Sequence, residues 1–322
     1  MRSLFCALAL AGLSLASAPE GTQSQVMYLS GQVVQPTYEG YDRNPDGSYT
    51  MLFGYLNRNH EEQLHIPIGP DNFFSVLDAG ETVGSQEGWQ ASPVNDREQP
   101  THFYTRRQKF VFGVTVPEDF GDRALVWTLR RNGETLTAVG KLKPDWVWLL
   151  NPDIWNGIID PESPNQPPTI EVVGAERMTV AVGEPVVLTV SVEDDGLPEP
   201  VVAGPRGLRS GGNRSDEGPI TNGLPFIHGS AGEPGRQAVL SPAVAREVGM
   251  AVTWLNYRGP GEADFTPMVS PLNNAGGTAT TTVRFREAGT YEVRAYADDG
   301  LYTGVRFSGV TVTVTEGSQG RR

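Results

Sequence analysis

The chain has 322 residues, with 25 Lys and Arg against 38 Asp and Glu, a formal net charge of −13. That balance argues against nucleic acid or anionic membrane as a partner, because both call for a basic face. The 1 cysteine argues against a disulfide scaffold, and the 38 glycines and 25 prolines favour strands joined by turns over long helices.

The chain opens on MRSLFCALALAGLSLASA. Arg2 supplies a positive start, Leu4 to Leu15 a short apolar run, and Ala16-Ser17-Ala18 a small-residue cleavage site. Residues 1–18 therefore read as a signal peptide, and the apolar run is too short to span a bilayer. Cys6 precedes most of that run, so it is expected to leave with the peptide. The mature chain would hold no cysteine, which excludes thiol nucleophiles and zinc–cysteine sites. No later stretch reads as a transmembrane segment. The expected location is secreted or periplasmic.

Residues 19–160 are predicted to form an N-terminal β-sandwich domain. GQVVQPTYEGY reads as its opening strand. Asn44-Pro45-Asp46-Gly47 is a turn, with proline presetting φ and Asp-Gly tolerating the left-handed position. In SYTMLFGYLNRN, Met51, Phe53 and Tyr55 share one face of a strand. The next stretch, NHEEQLHIPIG, resembles the zinc-protease signature H-E-x-x-H. Here, however, His60 and His65 stand five apart rather than four. On a helix the second ring would rotate away from the first, and on a strand the two would face opposite sides. Leu64 to Gly69 reads as a strand closing in a turn, so the metal motif is rejected. After a polar stretch from Ser75 to Pro100, QKFVFGVTVP puts Phe110, Phe112, Val114 and Val116 on one face. ALVWTLRRNGETLTAVGKL is a hairpin around Asn132-Gly133.

Residues 161–168, rich in proline, read as a semi-rigid linker with a boundary near Pro164. Residues 169–316 then give TIEVV, MTVAV and VVLTVSVE, a Gly/Pro/Ser-rich insertion over about 196–248, and MAVTWLNYRG, ATTTVRF, TYEVRAYADDG and VRFSGVTVTV. The insertion reads as too long and polar for a packed loop, and is expected to be disordered. Residues 317–322 are a polar tail. The predicted fold class is all-β, with two antiparallel β-sandwich domains.

The second half resembles an immunoglobulin-like domain. Val186-Val187-Leu188-Thr189-Val190 matches strand B, Trp254 the strand C tryptophan, and Tyr291-Glu292-Val293 strand F. With NQPPTI and AGTYEVRAYADDG, it is similar to bacterial Ig-like modules of the PKD/REJ/cadherin-like group. The resemblance implies that Val190 and Val293 replace the usual disulfide by an apolar contact against Trp254. It also implies that Tyr291 makes the corner hydrogen bond. The first half is similar in style to unnamed modules of secreted bacterial proteins.

No nucleophile or acid–base constellation emerges. His228-Gly229-Ser230-Ala231-Gly232 lacks the first glycine of a nucleophile elbow and falls in the insertion. Asp194-Asp195-Gly196 ends strand B and Asp298-Asp299-Gly300 ends strand F. In an Ig-like sandwich both would gather at one pole, as ordinary Asx turns or as oxygen ligands for calcium. No other cofactor is expected. His102, Tyr104, Arg106 and Arg107 form a basic-aromatic patch suited to an acidic partner, or a solvated loop leading into a strand. Trp146 and Trp148 would share a strand face, as a sugar-stacking platform or as filling at the domain boundary, with Trp155 nearby. The expected function is noncatalytic binding or spacing at the cell exterior, toward a cell-envelope protein or glycan. The alternatives are a polysaccharide-binding accessory protein and an uncharacterised hydrolase.

Overall fold

A computed structural model describes residues 28–81, 96–143, 166, 168–197, 250–299 and 307–316. The expected signal peptide, residues 161–165 of the expected linker and nearly all of the expected insertion lie outside the described residues. What is described is an all-β sandwich protein, its sheets antiparallel but for one strand pair.

The first half carries β1 (Val34–Arg43), β2 (Tyr49–Asn57), β3 (Leu64–His65), β4 (Asn72–Leu77), β5 (His102–Phe103), β6 (Arg106–Val116), β7 (Ala124–Arg131) and β8 (Glu134–Gly140). They pair as a β1-β2-β6 sheet, a β4-β7-β8 sheet and a small β3-β5 ladder. Phe53, Phe112, Phe74, Trp127 and Phe103 fill the core. Phe53 stacks on Phe112 at 5.7 Å and meets Trp127 edge-on at 6.2 Å, the offset and edge geometries that ring quadrupoles favour. Trp127 Nε1 donates to Asn72 Oδ1 at 2.9 Å, so its polar edge is satisfied inside the core.

Both first-half turns form for the expected reasons. Arg131 pairs with Glu134 across a two-residue loop, with Asn132 at φ 53° and Gly133 at φ 78°, the type I′ geometry that matches strand twist. Gly47 takes φ 90°, and Asp46 Oδ1 accepts from Ser48 N at 3.0 Å. The stretch around His60 and His65 is not helical: His65 lies on β3, directly opposite His102 on β5. Sequence reasoning passed over β4. The supposed polar stretch from Ser75 begins inside it, and its Asn72-Phe73-Phe74 start is buried on both faces and shows no alternation.

The second half follows the Ig-like threading strand for strand. β9 (Thr169–Val172), β10 (Arg177–Ala181), β11 (Val186–Glu193), β12 (Ala251–Arg258), β15 (Gly276–Phe285), β16 (Gly289–Asp298) and β17 (Phe307–Thr315) are all as anticipated. Two short strands, β13 (Ala263–Thr266) and β14 (Val269–Pro271), were not. One sheet runs β13-β15-β11-β9 and the other β10-β17-β16-β12-β14, so strands B (β11) and F (β16) face each other across the sandwich. The β10–β17 pair is parallel. Val190, Trp254 and Val293 meet in one core at 0%, 1% and 1% exposure, replacing the disulfide by apolar contact. Tyr291 Oη donates to Glu287 O at 2.9 Å, the corner bond.

Candidate functional site

The strand β12 sequence AVTWLNYR is apolar on both faces, and all but its last residue are buried. Val252 and Trp254 point into the Ig-like core, while Leu255 and Tyr257 serve other clusters. Strand β16 behaves likewise: Tyr291, Val293 and Ala295 face inward, and Glu292, Arg294 and Tyr296 alternate outward. A strand with two buried faces must have something against its second face. That partner is the segment Asp96–Tyr104 of the first half.

The seam combines a backbone bond with bonds from side chains. Thr101 N–H donates to Tyr257 O at 3.2 Å, while Thr101 O accepts from Ile66 N at 2.8 Å. One residue thus ties β12 to the first half. Asn256 N–H donates to Tyr104 Oη at 2.8 Å, and Tyr104 N–H donates to Tyr55 Oη at 3.0 Å. Tyr257 is 2% exposed and joins the core of the first half, with its hydroxyl bonded to Glu98 O. Tyr104, Leu255 and Tyr296 form a separate apolar knot with Met268 against it.

Charge closes the rim. Arg258 holds Asp96 through two bonds of 2.9 and 2.8 Å, and the hydrogen bond from Arg258 lowers the Asp96 pKa. Arg294, 2% exposed, lies 3.5 Å from the Tyr257 ring centroid and 4.0 Å from that of Phe307. Its guanidinium reaches Glu292 at 2.5 Å and Glu98 at 3.2 Å. Arginine suits this slot because its flat cation stacks on rings while Nε and Nη2 keep bonds to Glu292 and Glu98; Nη1 is buried without a hydrogen-bond partner.

The basic-aromatic residues divide between the seam and its flank. His102 is 4% exposed; its Nε2 meets Gln63 Oε1 at 2.7 Å and its ring packs edge-on against Tyr104 at 4.9 Å. Burial, and then the nearby His65, push the His102 pKa down to about 3. Burial lowers that of His65 too. Arg106 pairs with His60, and Arg107 with Glu39 and Thr37 Oγ1, so both are engaged within the first half. Trp146, Trp148 and Trp155 lie outside the described residues. The signal that sequence reasoning missed was outward alternation of large side chains, Arg294-Ala295-Tyr296 on β16 and Leu255-Asn256-Tyr257 on β12.

The ends of β11 and β16 share one pole. Asp298 pairs with Ala251, Ala251 with Pro271, and Asn274 Nδ2 then donates to Gly196 O at 3.3 Å, beside Asp194 and Asp195. Each of these two aspartates caps a turn: Gly196 N–H donates to Asp194 Oδ2 at 2.9 Å and Leu197 N–H to Asp195 Oδ1 at 2.9 Å. Asp195 Oδ2 also accepts from Gln166 N at 2.8 Å. Burial raises the Asp194 pKa to about 6, with the charge of Asp195 adding to the rise and the backbone hydrogen bonds opposing it. Asp299 is buried, and the Asp298 side chain lies outside the described residues. Among the described residues no group of 3 or more His, Cys, Asp or Glu side chains is placed to hold a metal.

No protein-family model matches the sequence, and no curated relative matches it. Three solved structures align along most of the chain. Domains 4 and 5 of the S-layer protein SbsC share 14% identity, over 88% of this chain and 98% of that one, at a TM-score of 0.22. The D0-D1 domain of intimin shares 10%, over 87% and 100%, at 0.24. The fibronectin(III)-like modules of Clostridium thermocellum CbhA share 9%, over 90% and 98%, at 0.22. Likenesses so remote assign no activity or partner; the Ig-like strand order stands on its own pairing. Among the described residues no helix is long and apolar enough to cross a membrane.

Proposed function

We propose that this chain is exported and works outside the cytoplasm as a noncatalytic binding or spacing protein. In this reading two β-sandwich domains divide near Pro164, and the second belongs with the PKD/REJ/cadherin-like group. The observation that carries it is the seam. Its buried aromatics, Arg258 and Arg294 are committed to joining the two halves, which favours a stiff two-part body presenting its outer faces. The target is a cell-envelope protein or glycan. Cleavage after Ala18 should give exported protein beginning at Pro19, read by mass spectrometry of the intact chain. An uncleaved exported chain, or an acylated Cys6, would overturn cleavage after Ala18, and retention of the chain in the cytoplasm would overturn the export reading. Capture from an envelope extract, run beside a glycan array, tests the binding reading. Turnover of a glycan or peptide in the same samples would replace it with an enzyme.

A further inference from the structure

We propose that the seam is an acid-sensitive joint: protonating the paired histidines His65 and His102 releases the first-half sheets from the Ig-like sandwich. The inference does not depend on the proposed function. It starts from the ladder that places His65 directly opposite His102, so both side chains leave the β3-β5 pair on the same side. Their neighbours on those strands, Leu64 and Phe103, go to the aromatic core on the other side. The imidazole side continues into the seam, because His102 packs on Tyr104 and Tyr104 Oη accepts from Asn256 of β12. Thr101, between His102 and the rim, carries the backbone bond to Tyr257.

The hydrogen bonds leave no place for a second proton. With Nε2 of His102 donating to Gln63 Oε1, the added proton must go to Nδ1, which is buried with no hydrogen-bond partner. Nδ1 of His65 is in the same condition. Protonating His102 buries a charge and an unsatisfied N–H; His65 is half-buried and a backbone bond with Thr101 favours its cation, yet protonating both sets two cations opposite each other. The other charges facing this cluster do little to relieve it. Glu287, in the turn before β16, acts on His65 and favours its cation, yet burial outweighs it. Glu262, after β12, acts on Tyr104. Asp96, Glu98 and Glu292 are bonded to Arg258 and Arg294 at the rim.

The sign follows from linkage. An opened joint returns His102 toward its ordinary pKa of about 6.5, whereas the closed joint holds it at about 3. Closure is therefore fully stable above the ordinary value and weakens as pH falls toward the closed-state value. From pH 7 to pH 5, His102 alone should raise the open population about 25-fold. The hydrogen bond from Arg258 lowers the Asp96 pKa below its ordinary value, so its protonation falls below the histidine window on the pH axis.

The test is hydrogen exchange on the full chain at pH 7, 6, 5 and 4, corrected for intrinsic rates, read at the amides of Thr101 and Asn256. Expected is a progressive loss of protection from pH 7 to pH 5 at these amides, with core amides of β11 and β15 unchanged. The double variant H65Q/H102Q, which keeps polar side chains that do not titrate, should abolish that loss. Unchanged protection in the parent chain down to pH 5 overturns the proposal. So does an equal loss in the variant, which would assign it to the carboxylates. Should the variant fail to fold, the NMR titration of the His102 ring in the parent protein decides. A closed-state pKa near or above 6 overturns the joint, and one below 5 supports it.

Discussion

Gly259 has no side chain because Tyr291 leaves no room for one: a Cβ there would stand 2.1 Å from the ring. Gly259→Ala should therefore cost about 1–3 kcal/mol through displacement of the corner tyrosine, measured by denaturant unfolding. Tyr291→Phe keeps the ring and removes the hydroxyl's backbone bonds with Glu287 and Gly261, which should cost about 1 kcal/mol, so a larger loss for the glycine variant identifies packing as the main effect. Trp254→Ala empties the centre of the Ig-like core and should cost about 3–5 kcal/mol. Asp194 makes an opposite prediction. Its raised pKa means that its contribution is present at low pH and lost as pH rises through about 6. Asp194→Asn keeps an acceptor for Gly196 without the charge. At pH 7 it should stabilise by on the order of 1 kcal/mol after allowing for screening at this half-exposed site, and at pH 4 by almost nothing. An equal gain at both pH values would contradict the charge argument.

Sequence reasoning found strands with one face buried and the other wet, and also β7 and β12, which are buried on both. β11 and β15 alternate with period two, and the Asn132-Gly133 hairpin announces itself through the two residues that tolerate positive φ. Gly133→Ala should cost about 1–2 kcal/mol, and Asn132→Gly much less, in thermal melts of the two variants. β4 escaped notice because its buried start runs into a polar stretch without alternation, and β5, β13 and β14 because strands of 2 to 4 residues carry no period to read, whereas β3 was read as the start of the Leu64 to Gly69 strand. The candidate site was half legible for the same reason. Its residues were visible as a run of His, Tyr and Arg around position 102. Their setting was not, since nothing in Asp96–Tyr104 says that β12 will lie against it. At the pole, the pairing of β11 and β16 across the sandwich was readable, and each Asp194-Asp195 amide bond is local. Those local bonds favour turns that hold without an ion. Melting curves in EDTA, millimolar magnesium and millimolar calcium should then share one midpoint, and a rise specific to calcium would instead assign the ion to Asp194, Asp195, Asp298 and Asp299.

At the scale of the molecule, the seam makes the two halves answer to each other. Tyr257 belongs by strand to the Ig-like sheet and by packing to the core of the first half. Tyr257→Ala should open a cavity in that core and cost about 3–5 kcal/mol. Its effect should extend to both halves: calorimetry of the parent chain at pH 7 is expected to show one transition, and the variant two. Two transitions in the parent would mean that the rim bonds add little. The same residue bears on the order in which the protein is made. By the time the ribosome has polymerised the first-half strands through Gly140, every Phe and Trp of their cluster exists, but the ring that completes it lies more than a hundred positions ahead. Folding from the N-terminus as the chain emerges would pause on an unfinished interior, leaving the nascent first half slack until Tyr257 is synthesised. Under the export proposed above, such delayed closure would keep the chain easier to thread through a translocation pore, an effect written into the placement of a single aromatic ring.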